Sequence, residues 1–142
     1  MIGNYFLDSC LNSTVINEPW GHQIINDTLP HKDFNTLRKE CERLSVPNDK
    51  LITIYPKDFN DYNISFYDQI HDISKSIIDN AKQLCDKYSE HRWFKNLAVN
   101  AHISVTPPLP YKFYIHQEGL EKIWSSVTYC LLYTSPSPRD QR

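Results

Sequence analysis

The sequence predicts an α+β fold, with helices first and a sheet later. Apolar residues step by three and four positions over residues 29–44 and again over 66–88, the period of a helix face. After Trp93 the period changes to two: Leu97, Val99, Ala101, Ile103 and Val105 alternate with Ala98, Asn100, His102, Ser104 and Thr106. One face is then apolar and the other mostly polar, as in a half-buried strand. A helical layer supporting a β-sandwich or barrel accommodates both periods, with the sheet incomplete at residue 129.

The elements follow in order. Residues 19–26, Pro-Trp-Gly-His-Gln-Ile-Ile-Asn, read as a short strand after a proline. Leu29-Pro30 opens a helix to about Leu44, whose Phe34, Leu37, Cys41 and Leu44 share one face. Pro30 suits a first turn, where its missing N–H costs nothing, and Asp33 sits near the positive end of the helix dipole. A loop ends at Pro47-Asn48-Asp49. Residues 51–55 form a candidate strand, leading into a polar loop up to Asn63. The longest helix is expected over 66–88, with Phe66, Ile70, Ile73, Ile77, Ala81, Leu84 and Tyr88 as a core-facing stripe. Pro107, Pro108 and Pro110 interrupt the strand that begins near Leu97, because proline donates no ladder hydrogen bond. Extended structure resumes over 111–116, Glu118-Gly119 turns the chain, and 123–129 is a further strand. In a sandwich or barrel the apolar faces of Val99, Ile103, Val105, Phe113, Ile115, Ile123 and Val127 are covered by a second sheet, a partner expected to be missing from residues 1–129.

With 142 residues, 40% of them hydrophobic, the chain has material for one domain. No run approaches the roughly 18 apolar residues of a membrane span, and the first seven residues lack a basic segment before an apolar core. A cytoplasmic location is expected. Fifteen basic against 17 acidic residues give a net charge of -2, which disfavours a phosphate backbone as partner. Cys10, Cys41, Cys85 and Cys130 form no C-x-x-C pair, so reduced thiols are expected. Residues 130–142 break the pattern: Cys-Leu-Leu-Tyr-Thr-Ser-Pro-Ser-Pro-Arg-Asp resembles a reading frame of a transposase-type sequencing adapter, the alternative being a natural Ser/Pro-rich tail. Residues 1–129 are therefore read as the N-terminal portion of one domain and 130–142 as a non-native tail.

Chemistry concentrates in Tyr111-Lys112-Phe113-Tyr114-Ile115-His116-Gln117-Glu118-Gly119. On a strand, residues two apart project from one face, so the His116 imidazole and the Glu118 carboxylate converge. Such a donor pair suits a borderline divalent metal and has the character of two members of a 2-His-1-carboxylate facial triad. The plain alternative is a polar strand end, with Glu118 solvated and His116 bonded to a carbonyl. His31 and Asp33 have the same spacing, but on a helix residues two apart are about 200° apart and diverge. Adjacent His71 and Asp72 likewise face different ways. His102 lies on the polar face of its strand, where a simple hydrogen-bonded histidine is the favoured reading and a cavity shared with His116 the alternative.

Residues 19–30, Pro-Trp-Gly-His-Gln-Ile-Ile-Asn-Asp-Thr-Leu-Pro, followed by an amphipathic helix, resemble the opening segment of iron(II)- and 2-oxoglutarate-dependent oxygenases of the prolyl-hydroxylase-like type. Ile103-Ser104-Val105-Thr106-Pro107-Pro108, then Tyr114-Ile115-His116-Gln117-Glu118, then residues 123–129 resemble the strand, H-x-D/E motif and following strand of such enzymes, especially small ones from phages and marine bacteria. The resemblance implies a double-stranded β-helix, a jelly-roll or cupin-like barrel with two supporting helices. It implies Fe(II) and 2-oxoglutarate as cofactors, with ascorbate as an accessory reductant, and a small-molecule or protein substrate. His116 and Glu118 match the first two iron ligands, Glu standing where Asp is commoner. Tyr129 matches a position that contacts the co-substrate, and Tyr114 and Asn100 are further candidates for that contact. Phe113 stands where family members often carry an aromatic hydroxyl. The distal histidine and the basic partner of the 2-oxoglutarate carboxylate are expected beyond Tyr129, so the chain is read as a truncated, inactive piece of a dioxygenase. A metal-free jelly-roll binding module and a phage structural accessory protein are the competing readings.

Overall fold

The computed structural model describes residues 1–44, 50–88, 96–106, 122 and 124–128. Their order is α1 (Ile2–Asn12), α2 (His31–Glu42), β1 (Ile52–Ile54), a 3-10 helix (Pro56–Tyr62), α3 (Tyr67–Asp79), α4 (Ala81–Lys87) and β2 (Ile103–Val105). The mixed α+β composition expected from the two periods is present, with a small antiparallel sheet of β1 and β2.

The first helix carries the core residues Phe6, Leu7 and Cys10, and the sequence reading assigned it no element. It lies against α3, where the Asp72 carboxylate accepts a 2.8 Å hydrogen bond from Gly3 N–H, one of the donors that a helix start leaves unsatisfied. Helix α2 matches the expected span closely, with Leu37 and Cys41 buried and Asp33 in its first turn. In place of the polar loop before Asn63 there is a 3-10 helix that begins at Pro56 and buries Phe59. It ends where Asn63 adopts a left-handed conformation (φ 53°) and Ile64 N–H bonds the Phe59 carbonyl at 2.9 Å.

The long helix and the strand over 19–26 require correction. The long helix is divided at Asn80, where the backbone leaves helical geometry (φ -120°, ψ 18°) and both the backbone N–H and the side-chain amide donate to the Ser76 carbonyl, at 3.2 and 2.9 Å. Its apolar stripe nonetheless serves the core as expected, with Phe66 and Leu84 buried and Ile70, Ile73 and Ile77 packed beside them. Residues 19–26 do not form a strand. Ile16 and His22 instead exchange backbone hydrogen bonds of 2.8 and 2.9 Å, closing a tight loop in which Pro19 has no N–H to offer.

In the sheet Ile52 faces Val105, Thr53 faces Ser104 and Ile54 faces Ile103. Side chains alternate as the period-two pattern requires. Ile54 is buried, and Ile52, Ile103 and Val105 pack against a core that includes Phe6, Leu37, Phe59, Phe66 and Leu84. Among the described residues, the apolar side of β2 packs against the helical layer. Residues 124–128 form no strand: Trp124 packs against the core, whereas Val127 is 72% exposed. The expected strand over 111–116 lies outside the described residues, and the barrel itself is not seen among those described. No helix of the described residues is long and apolar enough to cross a membrane.

Candidate functional site

Of the residues singled out for chemistry, His116, Glu118, Tyr114 and Tyr129 lie outside the described residues. Asn100 lies within them and is exposed, three residues before β2 and on the same side as His102 and Ser104. Extending the register of β1 and β2 by one pair places Tyr55 opposite His102. Their rings are 5.7 Å apart, tilted by 54°. The sheet thus has two unlike faces. The helical core packs on one, and the other presents Tyr55, Asn100, His102 and Ser104 outward.

Three further histidines lie among the described residues. His31 opens α2 and takes a 2.9 Å hydrogen bond from the Asn35 amide one turn later, so it diverges from Asp33 as helical geometry requires. His71 is exposed while neighbouring Asp72 is engaged with α1. His22 Nδ1–H donates to the Trp20 carbonyl at 2.8 Å within the closed loop. Among the described residues, no group of three or more His, Cys, Asp or Glu side chains could hold a metal ion. His116 and Glu118, the metal donors expected from the sequence, lie outside those residues.

A second polar centre was not legible in the sequence. At the C-terminal end of α1, the Gln23 amide donates to the carbonyls of Cys10 (2.8 Å) and Ser13 (2.9 Å) and to the Ser13 hydroxyl (2.8 Å). Lys87 Nζ donates to the Leu11 carbonyl at 2.7 Å. These are acceptors that a helix end leaves open, and a lysine there also meets the negative end of the dipole. Burial pushes the Cys10 thiol up to about 11, against the opposing effect of nearby Lys87. Tyr88 is raised chiefly by burial, partly offset by the Trp124 indole beside its hydroxyl. The Tyr88 hydroxyl donates to Gln23 Oε1 at 2.6 Å; no spacing rule joins residues so far apart, and glutamine carries no motif.

The buried carboxylate of Glu40 is likewise structural. It accepts hydrogen bonds from the backbone N–H and the hydroxyl of Ser65, tying α2 to the segment that leads into α3.

No family model, curated protein or solved structure matches this chain.

Proposed function

We propose that the chain is the N-terminal part of an iron(II)- and 2-oxoglutarate-dependent dioxygenase of double-stranded β-helix architecture. The observation that carries the reading is the two-faced sheet. Its apolar side is seated on helices and its polar side, with Asn100 and His102, is open, which is the disposition a helical layer under a barrel needs. The His116-x-Glu118 motif, in the extended segment expected after β2, supplies two donors of the kind a facial triad uses. Bound iron and 2-oxo acid would supply oxidative decarboxylation coupled to hydroxylation of a substrate C–H bond. His116 and Glu118 would hold the metal, and Tyr129, with Tyr114 and Asn100, would position the co-substrate. Its far carboxylate needs a cationic partner to offset desolvation, and this partner is placed beyond Tyr129 together with the third ligand.

The test is to extend the reading frame past the codon for Tyr129 from untagmented DNA of the same locus, express the extended protein and measure conversion of 2-oxoglutarate to succinate with iron(II) and ascorbate. Turnover is expected, and His116→Ala or Glu118→Ala should abolish it while His31→Ala should not. Equal turnover in the His116 variant would sink the assignment. The 142-residue chain itself is expected to show no turnover.

A metal-free binding module is the second reading. It is favoured by Trp20, 66% exposed on a loop fixed by paired backbone bonds. An extended protein with aromatic or polar residues where the distal histidine and basic residue are expected would support it.

A further inference from the structure

The loop over residues 16–23 is held at several points and leaves a tryptophan in the open. Ile16 and His22 exchange two backbone hydrogen bonds, and His22 Nδ1–H donates to the Trp20 carbonyl at 2.8 Å within the loop. At its base the Gln23 amide binds the Cys10 and Ser13 carbonyls at the end of α1, and Gln23 Oε1 accepts the Tyr88 hydroxyl. The Tyr88 ring also lies against Gly21, where an added Cβ would stand 3.2 Å from Cδ1. The entropy cost of ordering such a loop is thus met in the free protein rather than on binding.

Partners across an antiparallel bridge carry their side chains on one side, so Ile16 and His22 share a side of the loop, and the Trp20 ring lies 6.0 Å from that of His22, tilted by 49°. Ile16 is 43% and Trp20 66% exposed. Apolar groups gathered in the open on an ordered loop mark a contact surface. Charge selects its partner. Residues 11–30 include Glu18 and Asp27 and no lysine or arginine. Glu18 is exposed two residues before Trp20, and among the described residues nothing pairs with its carboxylate. With Nδ1–H engaged by the Trp20 carbonyl, Nε2 of a neutral His22 is an acceptor. An indole face, a carboxylate and an imidazole acceptor are together complementary to a cation. Guanidinium suits them best, because it is planar, stacks on aromatic faces, carries only donors and is weakly hydrated. Ile16 can cover its aliphatic stem.

We infer that the 16–23 loop is a preformed docking surface for an arginine side chain of a partner protein, with Trp20 stacked on the guanidinium and Glu18 as its counter-charge. None of the proposed iron or co-substrate residues takes part, so this surface and the oxygenase reading stand or fall separately.

The test is a titration of the isotope-labelled 142-residue chain with a capped Gly-Arg-Gly peptide at millimolar concentration, followed by NMR. The Trp20 indole N–H and the Gly21 amide should shift while amides in the middle of α3 stay in place. The same peptide with citrulline, which keeps the shape of arginine and lacks its charge, should bind about fivefold more weakly. Trp20→Leu keeps an apolar side chain and removes the indole, and read at the Gly21 amide it should weaken the arginine peptide by about threefold to fivefold, the scale of an exposed cation–π contact. Glu18→Gln should weaken it by about twofold to fivefold and make binding less sensitive to salt. Equal affinity for the arginine and citrulline peptides, or for the arginine peptide in Trp20→Leu, would overturn the assignment. A stronger response at Trp20 to maltotriose would overturn it in favour of a glycan platform. Trp20-dependent sedimentation with phosphatidylglycerol vesicles would do so in favour of a lipid contact.

Discussion

The Cys10 thiol is 1% exposed, and its environment penalises the thiolate strongly enough to push its pKa from 9.0 up to about 11. The unfolded chain begins to shed this proton near pH 9 while the folded chain keeps it. Its contribution to stability is therefore complete below pH 9 and is lost as pH rises through about 11. The loss is on the order of 2 kcal/mol. Tyr88, raised mainly by burial, acts in the same sense at alkaline pH. The urea midpoint is expected to fall between pH 9 and 11, and Cys10→Ala should reduce the fall, leaving the part of the Tyr88 contribution that comes from burial. A midpoint that rises over this interval would contradict the assignment. Glu40 gives a second residue-scale expectation. It is 7% exposed and accepts both the N–H and the hydroxyl of Ser65. Glu40→Ala should cost about 2 kcal/mol, and a double-mutant cycle with Ser65→Ala should return a clear coupling energy. Additive single-variant costs would mean that the pair contributes nothing jointly. The sequence did not indicate this bond, because a glutamate at this helix position looks the same whether it meets solvent or the backbone of a distant turn.

Among the elements, those announced by a long period were legible and those set by tertiary contact were not. Helix α2 follows from Leu37 and Cys41 with Pro30 ahead of them, and the alternation around β2 survives in the burial of its side chains. Helix α1 was missed because its eleven residues carry no sequence cap, and its start is completed by Asp72 of α3. The division of the long helix was missed because periodicity is insensitive to one back-bonding asparagine, and the apolar stripe runs on past Asn80 to Leu84. The α1–α3 contact yields the element-scale prediction. A Cβ on Gly3 would collide with the Asp72 carbonyl and the Ser76 hydroxyl, where backbone on one side leaves little room to yield. Gly3→Ala should cost about 1–3 kcal/mol despite its better helix propensity, measured as a lowered urea midpoint. A stabilised variant would mean that α1 is free to move away from α3.

At the scale of the whole molecule, what decides behaviour is how the sheet is joined to the helices. Ile54 is 1% exposed and pairs across the sheet with Ile103, and it belongs to the same buried cluster as Phe6, Leu37, Phe59 and Leu84. A side chain in that position makes sheet and helices one packing unit. The period-two pattern foretold the apolar face of β2, and among the described residues the helical layer packs against Ile103 and Val105. Of the candidate site, the polar face was legible as Asn100, His102 and Ser104, whereas Tyr55 joins it only through the strand register. The last prediction follows from this single unit. Ile54→Ala should cost about 2–5 kcal/mol, a large part of the 5–15 kcal/mol that holds a typical domain. Helical circular dichroism and the protection of the β1 and β2 amides should be lost together on heating. Val127→Ser, at a position 72% exposed, should change stability by no more than about 0.5 kcal/mol. Helices that persist in the Ile54 variant after the strand amides have exchanged would show instead that the sheet is an appendage to an independently stable helical layer.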